Sequence, residues 1–302
     1  MISVDTYLQE VLSIAHPLAP LDMPLLDAHG ATLARDVYAG ERLVLKGGGR
    51  IRSIHVGLAA SIGLDHLPTR PHPRVVVISA GEDLTEPGHA IDAQHSYETN
   101  SWLLTTAVRE AEAIGYRVHT IPDTSEQLKD LIEDQLVRAD LVVISSGARS
   151  VEMMRSALSA LGEMSEREVA MEPSGHHSYG MIGPDRTPVI TLPSSSAGAY
   201  ISCELFVRPM IRQMLGRKNL SHRSLTARLA GITGSENPLH GAPSARRYLE
   251  ALITHKNEVL VATPVSDSNR AEANGLIVLA ESTTSKGEGD EVQVILIDRR
   301  AE

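Results

Sequence analysis

Apolar residues near the start of the chain recur every three to four positions, which is the period of one face of a helix. The pattern runs from Val4 to Ile14, with Ser3 at the expected N-cap and Pro17 beyond its end. It predicts a short amphipathic helix. Two proline-punctuated apolar segments follow. The three consecutive glycines within Lys46–Arg50 then predict a flexible joint, because no Lys-Ser/Thr pair follows them to make a phosphate-binding loop.

From Ile54 onwards, continuous apolar runs alternate with stretches of helical periodicity. The runs predict strands at 74–78, 116–121, 141–144 and 189–192, and the periodic stretches predict helices at 100–114, 124–138, a stretch ending at Leu161, and 196–215. Strands that alternate with helices indicate a parallel-type sheet covered on both faces, a three-layer α/β fold. Ligands of such sheets bind beyond the carboxyl ends of the strands. The loops at that edge are 80–84, 122–124, 145–152 and 193–198.

The pattern changes after Asn219, where apolar and polar residues alternate with a period of two. This is the period of a strand with one buried face. The predicted strands are 225–232, 247–255, 258–265, 276–281 and 291–298. We therefore expect a small C-terminal β-domain of about five antiparallel strands.

The chain is thus predicted to divide into three parts. Residues 1–49 form a residual N-terminal helical arm without a core of its own, residues 50–218 form the α/β domain, and residues 219–302 form the β-rich domain. A helix as short as the one in the arm is not stable alone, so it must pack against another part of the protein or against a second copy.

Composition and charge narrow the classes of function. The chain has 28 Lys and Arg against 38 Asp and Glu, a formal net charge of −10, and only 3% aromatic residues. It therefore lacks the basic surface and the stacking platform typical of nucleic-acid binding. The single cysteine, Cys203, excludes an internal disulfide and a thiolate zinc cage. With no apolar run of transmembrane length and no signal peptide, we expect a soluble cytoplasmic protein without membrane or nucleic-acid partners.

Short motifs in several of the loops and in later parts of the chain follow the same order as those of one enzyme family. They are Ser79-Ala80-Gly81-Glu82-Asp83-Leu84, Thr99-Asn100-Ser101, Pro122-Asp123, Ser146-Gly147-Ala148-Arg149-Ser150, Leu192-Pro193-Ser194-Ser195-Ser196, Glu204-Leu205-Phe206-Val207-Arg208-Pro209 and Ala273-Asn274-Gly275-Leu276. On these motifs the chain resembles the molybdopterin molybdenumtransferase family, which includes MoeA and the gephyrin E domain.

The resemblance implies a molybdopterin-binding α/β domain, an elongated homodimer, and insertion of molybdate into adenylylated molybdopterin. It implies catalytic roles for Asp83, Asp123 and Glu152, with Asp83 and Asp123 also holding Mg²⁺. The residues that it implies for binding the molybdopterin and molybdate are Gly81, Ser146, Gly147, Ser150, Pro193, Ser194, Ser195 and Ser196. From the residues alone, Asp123 could instead cap a helix, and Asp83 could be a solvated loop charge.

The chain departs from the family pattern where that pattern supplies cations. The family's lysines fall in a segment that here reads Glu172-Pro173-Ser174-Gly175-His176, and no lysine lies between Lys129 and Lys218. A carboxylate in place of a cation at ~4–6 Å from a pyrophosphate changes the interaction by at least roughly a few kcal/mol. We expect His176 and His177 to be surface loop histidines, which are mostly neutral at pH 7.

Two hypotheses about activity remain open. The family's further domain and its N-S-A-M-D-G-Y-A-type loop are missing after Asp36, together with the lysines, so we expect molybdate insertion to be impaired or lost. Arg149 either substitutes for one missing lysine or is a surface residue. The alternative is a non-catalytic homodimeric scaffold that binds a protein partner.

One segment also resembles a hydrolase motif. Ser194-x-Ser196-x-Gly198 between a strand and a helix mimics a nucleophile elbow, with Ser196 as nucleophile. Its partners would be His240 or His255 with Asp267, but these residues do not support the order Ser, Asp, His that this fold uses. The histidines also lack the H-E-x-x-H spacing of a zinc enzyme.

Overall fold

A computed structural model describes residues 1–147, 149–232, 238–256, 258–266 and 268–297. The helices are α1 (Val4–Ser13), α2 (Ser53–Ser61), α3 (Asn100–Glu110), α4 (Ser125–Leu136), α5 (Val151–Leu161), α6 (Ser196–Ser202) and α7 (Arg208–Met214), with a π turn at Cys203–Val207 and a 3-10 turn at Arg270–Glu272. The strands are β1 (Leu21–Pro24), β2 (Thr32–Leu33), β3 (Val37–Ala39), β4 (Arg42–Leu45), β5 (His66–Arg70), β6 (Arg74–Ala80), β7 (Leu84–Thr85), β8 (Ser96–Tyr97), β9 (Ile114–Arg117), β10 (Leu141–Ser146), β11 (Gly162–Glu168), β12 (Met171–Glu172), β13 (His176–Ile182), β14 (Thr187–Leu192), β15 (Ser224–Leu229), β16 (Leu239–His240), β17 (Arg246–Lys256), β18 (Val259–Pro264), β19 (Gly275–Leu279), β20 (Ser285–Lys286) and β21 (Glu291–Leu296).

The chain forms two compact units. The α/β unit contains Gln9–Ser165 and Ser178–Leu220, and the β unit contains Met1–Leu8, Glu166–His177 and Ser221–Glu302. The three-part division at residues 49 and 218 stays a prediction. No helix in the described ranges is long and apolar enough to cross a membrane.

The large sheet has the strand order β11-β13-β14-β10-β6-β9. Strands β14, β10, β6 and β9 run parallel to one another, whereas β13 pairs with β14 in the antiparallel direction. The central strands are buried along nearly their whole length, as their apolar runs predict. Helices α4 and α5 pack on the sheet through Leu128, Ile132 and Leu158, while α3 lies against β6 and α6. The three-layer α/β fold is therefore confirmed.

Two predicted helices differ from the observed ones for local reasons. The helix expected over 100–114 ends at Glu110, because Glu112 adopts a left-handed backbone (φ 73°) and β9 already begins at Ile114. The helix expected over 196–215 contains a π turn. Pro209 follows that turn and has no N–H to donate to the preceding turn, so the regular hydrogen-bond pattern cannot continue through it.

Strands β11 and β13 are not predicted by the sequence pattern. The prediction that His176 and His177 lie in a surface loop is wrong, since both belong to β13. His176 is exposed, but His177 has only 4% of its surface accessible to solvent.

The segment that follows α1 has an apolar cluster of its own, contrary to the expectation from sequence. The strand order β1-β5-β2 forms a small sheet, and the buried cluster contains Ala28, Leu33, Val37, Leu45, Ile51, Ala59 and Leu67. The expected flexible joint is an ordered turn: Gly48 N–H donates to the Leu33 carbonyl over 2.7 Å, and Leu33 N–H donates to the Gly49 carbonyl over 2.9 Å.

In the β unit, the predicted strands are present and enclose a small core. In the order β17-β18-β15-β21-β19, each strand pairs with the next. Strand β19 also pairs with β17, so these five strands form a closed ring. The expectation of purely antiparallel pairing is wrong in two places, because β15 pairs with β18 and β12 pairs with β17 in the parallel direction. The predicted strand end at Asp298 lies outside the described residues.

Candidate functional site

A pocket of about 310 Å³ lies in the α/β unit at the carboxyl ends of β6, β10 and β14. Its described lining is rich in hydroxyl groups, and it contains two acidic residues but no lysine, arginine or histidine. The lining residues are Ser79, Asp83, Leu84, Ser96, Tyr97, Glu98, Thr99, Asn100, Ser146, Gly147, Ser194, Ser195 and Ser196. Three of the four loops expected at this edge of the sheet contribute to the pocket, and loop 122–124 is not among the lining.

Asn100, the first residue of α3, joins the loops around the pocket. Its side-chain N–H groups donate to the Ser145 hydroxyl and to the Ser194 carbonyl, both over 2.8 Å. Its side-chain oxygen accepts from the Ser196 hydroxyl at 3.0 Å. The amide is buried, with 6% of the residue exposed. One side chain therefore connects the end of β10 to the loop that follows β14.

The pocket wall at the start of α3 is a saturated network of charged groups, in which both oxygens of the Glu98 carboxylate accept hydrogen bonds. Glu98 is 1% exposed, and its carboxylate accepts from the Ser101 N–H at 2.7 Å and from the Ser101 hydroxyl. Arg117 on β9 donates to Glu98 over 3.3 Å and also to Glu86 and to the Ser101 hydroxyl. The same guanidinium stacks over the ring of Trp102, with 4.0 Å from its central carbon to the ring centroid. We call Glu98, Ser101 and Arg117 the Glu98 network.

Another part of the pocket wall contains a carboxylate with one unsatisfied oxygen. Asp83 Oδ1 is buried and has no hydrogen-bond partner among the described residues. Arg149 is the nearest cation, with Nε 4.0 Å from Asp83 Oδ2, and its side chain is 56% exposed. A Cβ atom at Gly147 would lie 2.1 Å from Asp83 Oδ1. Only glycine at this position lets the carboxylate occupy its observed place.

Two further predicted binding residues stand behind this wall. Gly81 has a φ of 155°, and a Cβ there would lie 2.9 Å from Asp83 Oδ1 and 3.2 Å from the Ser150 hydroxyl. Ser150 is 4% exposed and precedes α5. Neither residue is among the lining, so both lie behind residues that line the pocket, and their roles in binding stay predictions.

The loop after β14 carries three predicted residues into the lining. Ser194, Ser195 and Ser196 all line the pocket, and Ser195 caps α6 by accepting from the Gly198 N–H at 3.2 Å. Pro193 lies behind them, where its carbonyl accepts from the Ser145 hydroxyl at 3.3 Å.

The other two predicted catalytic acids lie outside the lining. Asp123 is exposed, and its N–H donates to the Gln127 side chain over 3.2 Å, while Thr124 caps α4. Glu152 has a side chain that is 78% exposed and pairs with Arg155 at 2.9 Å. Across the part of the chain that the structure describes, no group of three or more His, Cys, Asp or Glu could hold a metal ion. The catalytic roles of Asp123 and Glu152 stay predictions.

His177 supplies no positive charge at neutral pH. Burial lowers the pKa of its imidazole to about 4, although a hydrogen bond of its Nδ1 to the Gly175 carbonyl at 3.1 Å acts in the opposite direction. The ring packs against Tyr7, with 5.3 Å between the centroids. This histidine is a neutral core residue of the β unit.

The hydrolase interpretation receives no support from the surroundings of Ser196. The hydroxyl contacts the amide oxygen of Asn100 and the hydroxyl of Thr99, both at 3.0 Å, and neither is a general base. Asp267, the acid of the proposed triad, lies outside the described residues.

The sequence predicts neither the central role of Asn100 nor the Glu98 network. Asn100 lies in the Thr99-Asn100-Ser101 motif, and an amide in the first turn of a helix after a strand-end loop is a signal that points to such a role. No local signal connects Arg117 to Glu98, because they meet only when β9 joins the sheet.

Two protein-family models together match most of the residues in each of the two units. The model of a probable molybdopterin binding domain matches residues 76–213, which include every residue of the pocket lining. The model of the MoeA C-terminal region (domain IV) matches residues 235–297.

Individual relatives give the same picture. The chain is 30% identical to molybdopterin molybdenumtransferase 1 and 32% identical to molybdopterin molybdenumtransferase 2 of Mycobacterium tuberculosis, with 87% and 86% of this chain aligned. It spans 63% and 65% of the length of those relatives. A crystal structure of a molybdopterin biosynthesis MoeA protein from Pyrococcus horikoshii has the same fold, with a TM-score of 0.81, 20% identity and 99% coverage of both chains.

Proposed function

The chain belongs to the MoeA family of molybdopterin molybdenumtransferases, and we propose that its hydroxyl-lined pocket binds a molybdopterin ligand. We propose further that its ability to insert molybdate is impaired or lost. The observation that carries both statements is the character of the pocket: many neutral hydrogen-bonding groups, two carboxylates, and no cationic side chain among the described lining.

The hydroxyl groups suit the pterin part of such a ligand. A pterin ring offers N–H donors and carbonyl or ring-nitrogen acceptors, and a serine hydroxyl can either donate or accept. Seven of the described lining residues carry a hydroxyl group as Ser or Thr, or eight with Tyr97. The volume of about 310 Å³ lies at the lower end of the range of small-molecule pockets. Asp83 also lines the pocket, and its carboxylate adds a strong acceptor for a ligand N–H.

The same lining is poorly suited to a pyrophosphate. Phosphate groups are bound by Lys and Arg side chains and by helix N-termini. Arg117 already pairs with Glu98 and Glu86. Arg149 lies 4.0 Å from Asp83 and its side chain is 56% exposed, so it offsets that carboxylate first. Adenylylated molybdopterin would therefore gain little from its additional phosphate, which is the physical basis for proposing impaired insertion.

Mg²⁺ fits the pocket only in part. Asp83 offers one carboxylate with an unused oxygen, and protein sites for Mg²⁺ often use one or two carboxylates together with water and ligand phosphates. We propose that Asp83 would hold Mg²⁺ only together with a phosphorylated ligand, whose charge the ion would offset. The role of Asp123 in binding Mg²⁺ stays a prediction.

A second candidate function is that of a non-catalytic homodimeric scaffold. Exposed apolar side chains favour it: on α2, Ile54 is 58% exposed and Leu58, one turn further, is 39% exposed. Side chains of this kind are common in protein interfaces. Light scattering on a size-exclusion column tests the homodimer, and Leu58→Asp should convert it to a monomer. A monomer mass for the wild type at all concentrations would contradict the scaffold proposal.

The main test is a titration with two ligands. Trp102, the single tryptophan, stacks on Arg117 of the Glu98 network, so its fluorescence reports on binding in the pocket. We expect molybdopterin to bind at roughly micromolar concentration, and adenylylated molybdopterin with Mg²⁺ to bind no more tightly. No binding of molybdopterin at high micromolar concentration would contradict the proposed ligand.

A companion assay addresses insertion. With adenylylated molybdopterin, Mg²⁺ and molybdate, the wild type should form little or no molybdenum cofactor. Rapid formation, or affinity for the adenylylated ligand at least about tenfold above that for molybdopterin, would contradict impairment. Arg149→Ala should weaken binding of the adenylylated ligand several-fold, while Arg155→Ala, the same change on α5, should have no effect.

A further inference from the structure

A second charged region of the α/β unit lies around three glycine turns. Arg217 donates to the Gly30 carbonyl over 3.4 Å and to the Glu112 carboxylate. Arg50 approaches the other oxygen of the same carboxylate at 3.5 Å. Two guanidinium groups thus bracket one acid, and one positive charge is left over.

Two more cations adjoin this pair. Lys218 follows Arg217 in the chain, and its Cε lies 3.1 Å from the place of a Cβ on Gly48. The Arg70 side chain passes 3.5 Å from the place of a Cβ on Gly216 and donates to the Leu18 carbonyl. Both glycines, like Gly30, have positive φ angles, of 83°, 68° and 88° for residues 48, 216 and 30. Without Cβ atoms at these turns, the side chains of Lys218 and Arg70 pack closely against the backbone of Gly48 and Gly216.

We call Arg50, Arg70, Arg217 and Lys218 the basic cluster. The acids in contact with this region among the described residues are Glu112, shared by two arginines, and Asp36, whose carboxylate accepts from the Gly47 N–H at 2.7 Å. The four cations thus exceed these two acids in a chain whose formal net charge is −10. Such a concentration of positive charge attracts anions.

One donor of the cluster is buried and unused. Arg217 Nε has no acceptor among the described residues, and the side chain is only 9% exposed. A buried donor without an acceptor is costly, and a native structure rarely retains one without a reason. Lys218 is exposed and Arg50 has a half-exposed side chain, so a small ligand from solvent can reach these two side chains of the cluster.

We propose that the basic cluster binds a tetrahedral dianionic oxyanion, of the class of phosphate and molybdate. Several oxygens on one small dianion can accept from a guanidinium and an ammonium together, which is the strongest form of hydrogen bonding at a protein surface. The cluster shares no residue with the hydroxyl-lined pocket. The inference therefore does not depend on the proposed binding of molybdopterin.

The first test is calorimetric titration of the full chain with molybdate, phosphate and sulfate, at constant ionic strength in chloride. We expect one dianion per chain to bind, and Lys218→Ala and Arg50→Ala each to weaken it about tenfold. The matched controls are Lys129→Ala and Arg155→Ala, which remove the same charges from α4 and α5. Equal affinity in Lys218→Ala and Lys129→Ala, or no saturable binding, would overturn the proposal. Comparison of molybdate with phosphate identifies the preferred dianion.

The second test locates the ion. Crystals soaked in tungstate, a heavy analogue of molybdate, should show an anomalous peak within hydrogen-bonding distance of Lys218 and Arg217. A peak only beside Ser194–Ser196, or no peak at a concentration that saturates in solution, would overturn the proposal. Molybdopterin titration of Lys218→Ala separates the two sites, because its affinity for the pterin should equal that of the wild type.

Discussion

The two acidic walls of the pocket differ in how their carboxylates are satisfied. On the wall at the start of α3, Glu98 accepts from Ser101 and Arg117 and is almost completely buried. On the wall beside Gly147, Asp83 has a buried oxygen with no partner and an exposed arginine at 4.0 Å. The hydrogen bonds of one carboxylate are supplied by the fold, whereas the other carboxylate has an oxygen that no described residue satisfies.

This difference separates structure from binding within a single pocket. A buried acid whose hydrogen bonds are complete stabilises the loop that carries it, whereas a buried acid with an open oxygen costs stability unless something outside the chain completes it. We infer that the Glu98 network positions the pocket and that Asp83 faces the ligand. The following experiments test that inference.

The largest effect is expected on the saturated wall. Arg117→Ala leaves Glu98 buried without its cation and removes a partner of Glu86. Breaking a buried ion pair from one side costs about 3–5 kcal/mol. We expect that loss in the free energy of unfolding, measured by urea denaturation and far-UV circular dichroism, since fluorescence is perturbed by the loss of the stack on Trp102.

The control for this variant is Arg155→Ala. That arginine pairs with Glu152 on the exposed surface of α5, with side-chain exposures of 51% and 78%. Its removal should change stability by less than about 0.5 kcal/mol. If Arg117→Ala cost no more than this control, the Glu98 network would not be a structural element.

The elements around the pocket were largely predictable, and the contrast between its walls was not. Continuous apolar runs such as Val75–Ile78 and Leu141–Ile144 predict buried parallel strands, and strand ends predict where the pocket lies. The satisfaction of each acid depends on partners that the sheet brings together from distant positions: Arg117 from β9 for one wall, and the bare backbone of Gly147 for the other.

The error at His177 has the same origin. The polar start of β13, with two histidines after a glycine, is typical of a loop, and its period gives no sign of burial. The ring is nevertheless buried, and Tyr7 packs against it from the first helix. A sequence pattern reports local preference, whereas burial of a polar ring is decided by tertiary packing.

His177 provides a second test of buried groups, outside the pocket. Its pKa falls from 6.5 to about 4 on folding because burial disfavours the charged ring. The unfolded chain therefore binds the proton more readily, so this group's contribution is complete above pH 6.5 and is lost as the pH falls toward 4. The loss amounts to about 3 kcal/mol. Stability measured across this range should fall less steeply in His177→Gln, while the exposed neighbour variant His176→Gln should keep the wild-type slope.

A third experiment acts on the open wall through the backbone. In Gly147→Ala, the new methyl group would lie 2.1 Å from Asp83 Oδ1, so the carboxylate must move. Because the displaced group is the flexible end of a side chain, we expect stability to change by only about 1 kcal/mol. Ligand binding should weaken at least about tenfold, which is about 1.4 kcal/mol. Unchanged affinity in the titration with molybdopterin would show that the position of Asp83 does not matter for binding.

The smallest stability effect should come from Asp83→Asn, and it is the sharpest test of the comparison. The matched variant is Glu98→Gln, which makes the same acid-to-amide change on the saturated wall. Glu98→Gln loses charge-assisted bonds from Ser101 and Arg117 and should cost about 2–3 kcal/mol. Asp83→Asn removes only a weak pair with an exposed arginine and relieves a charge with an unused oxygen, so stability should change by less than about 1 kcal/mol. Its affinity for molybdopterin should nevertheless fall about tenfold, because the acceptor offered to the ligand is weaker. Equal losses of stability in the two variants would mean that both acids serve the fold and that the ligand is bound by the hydroxyl groups alone.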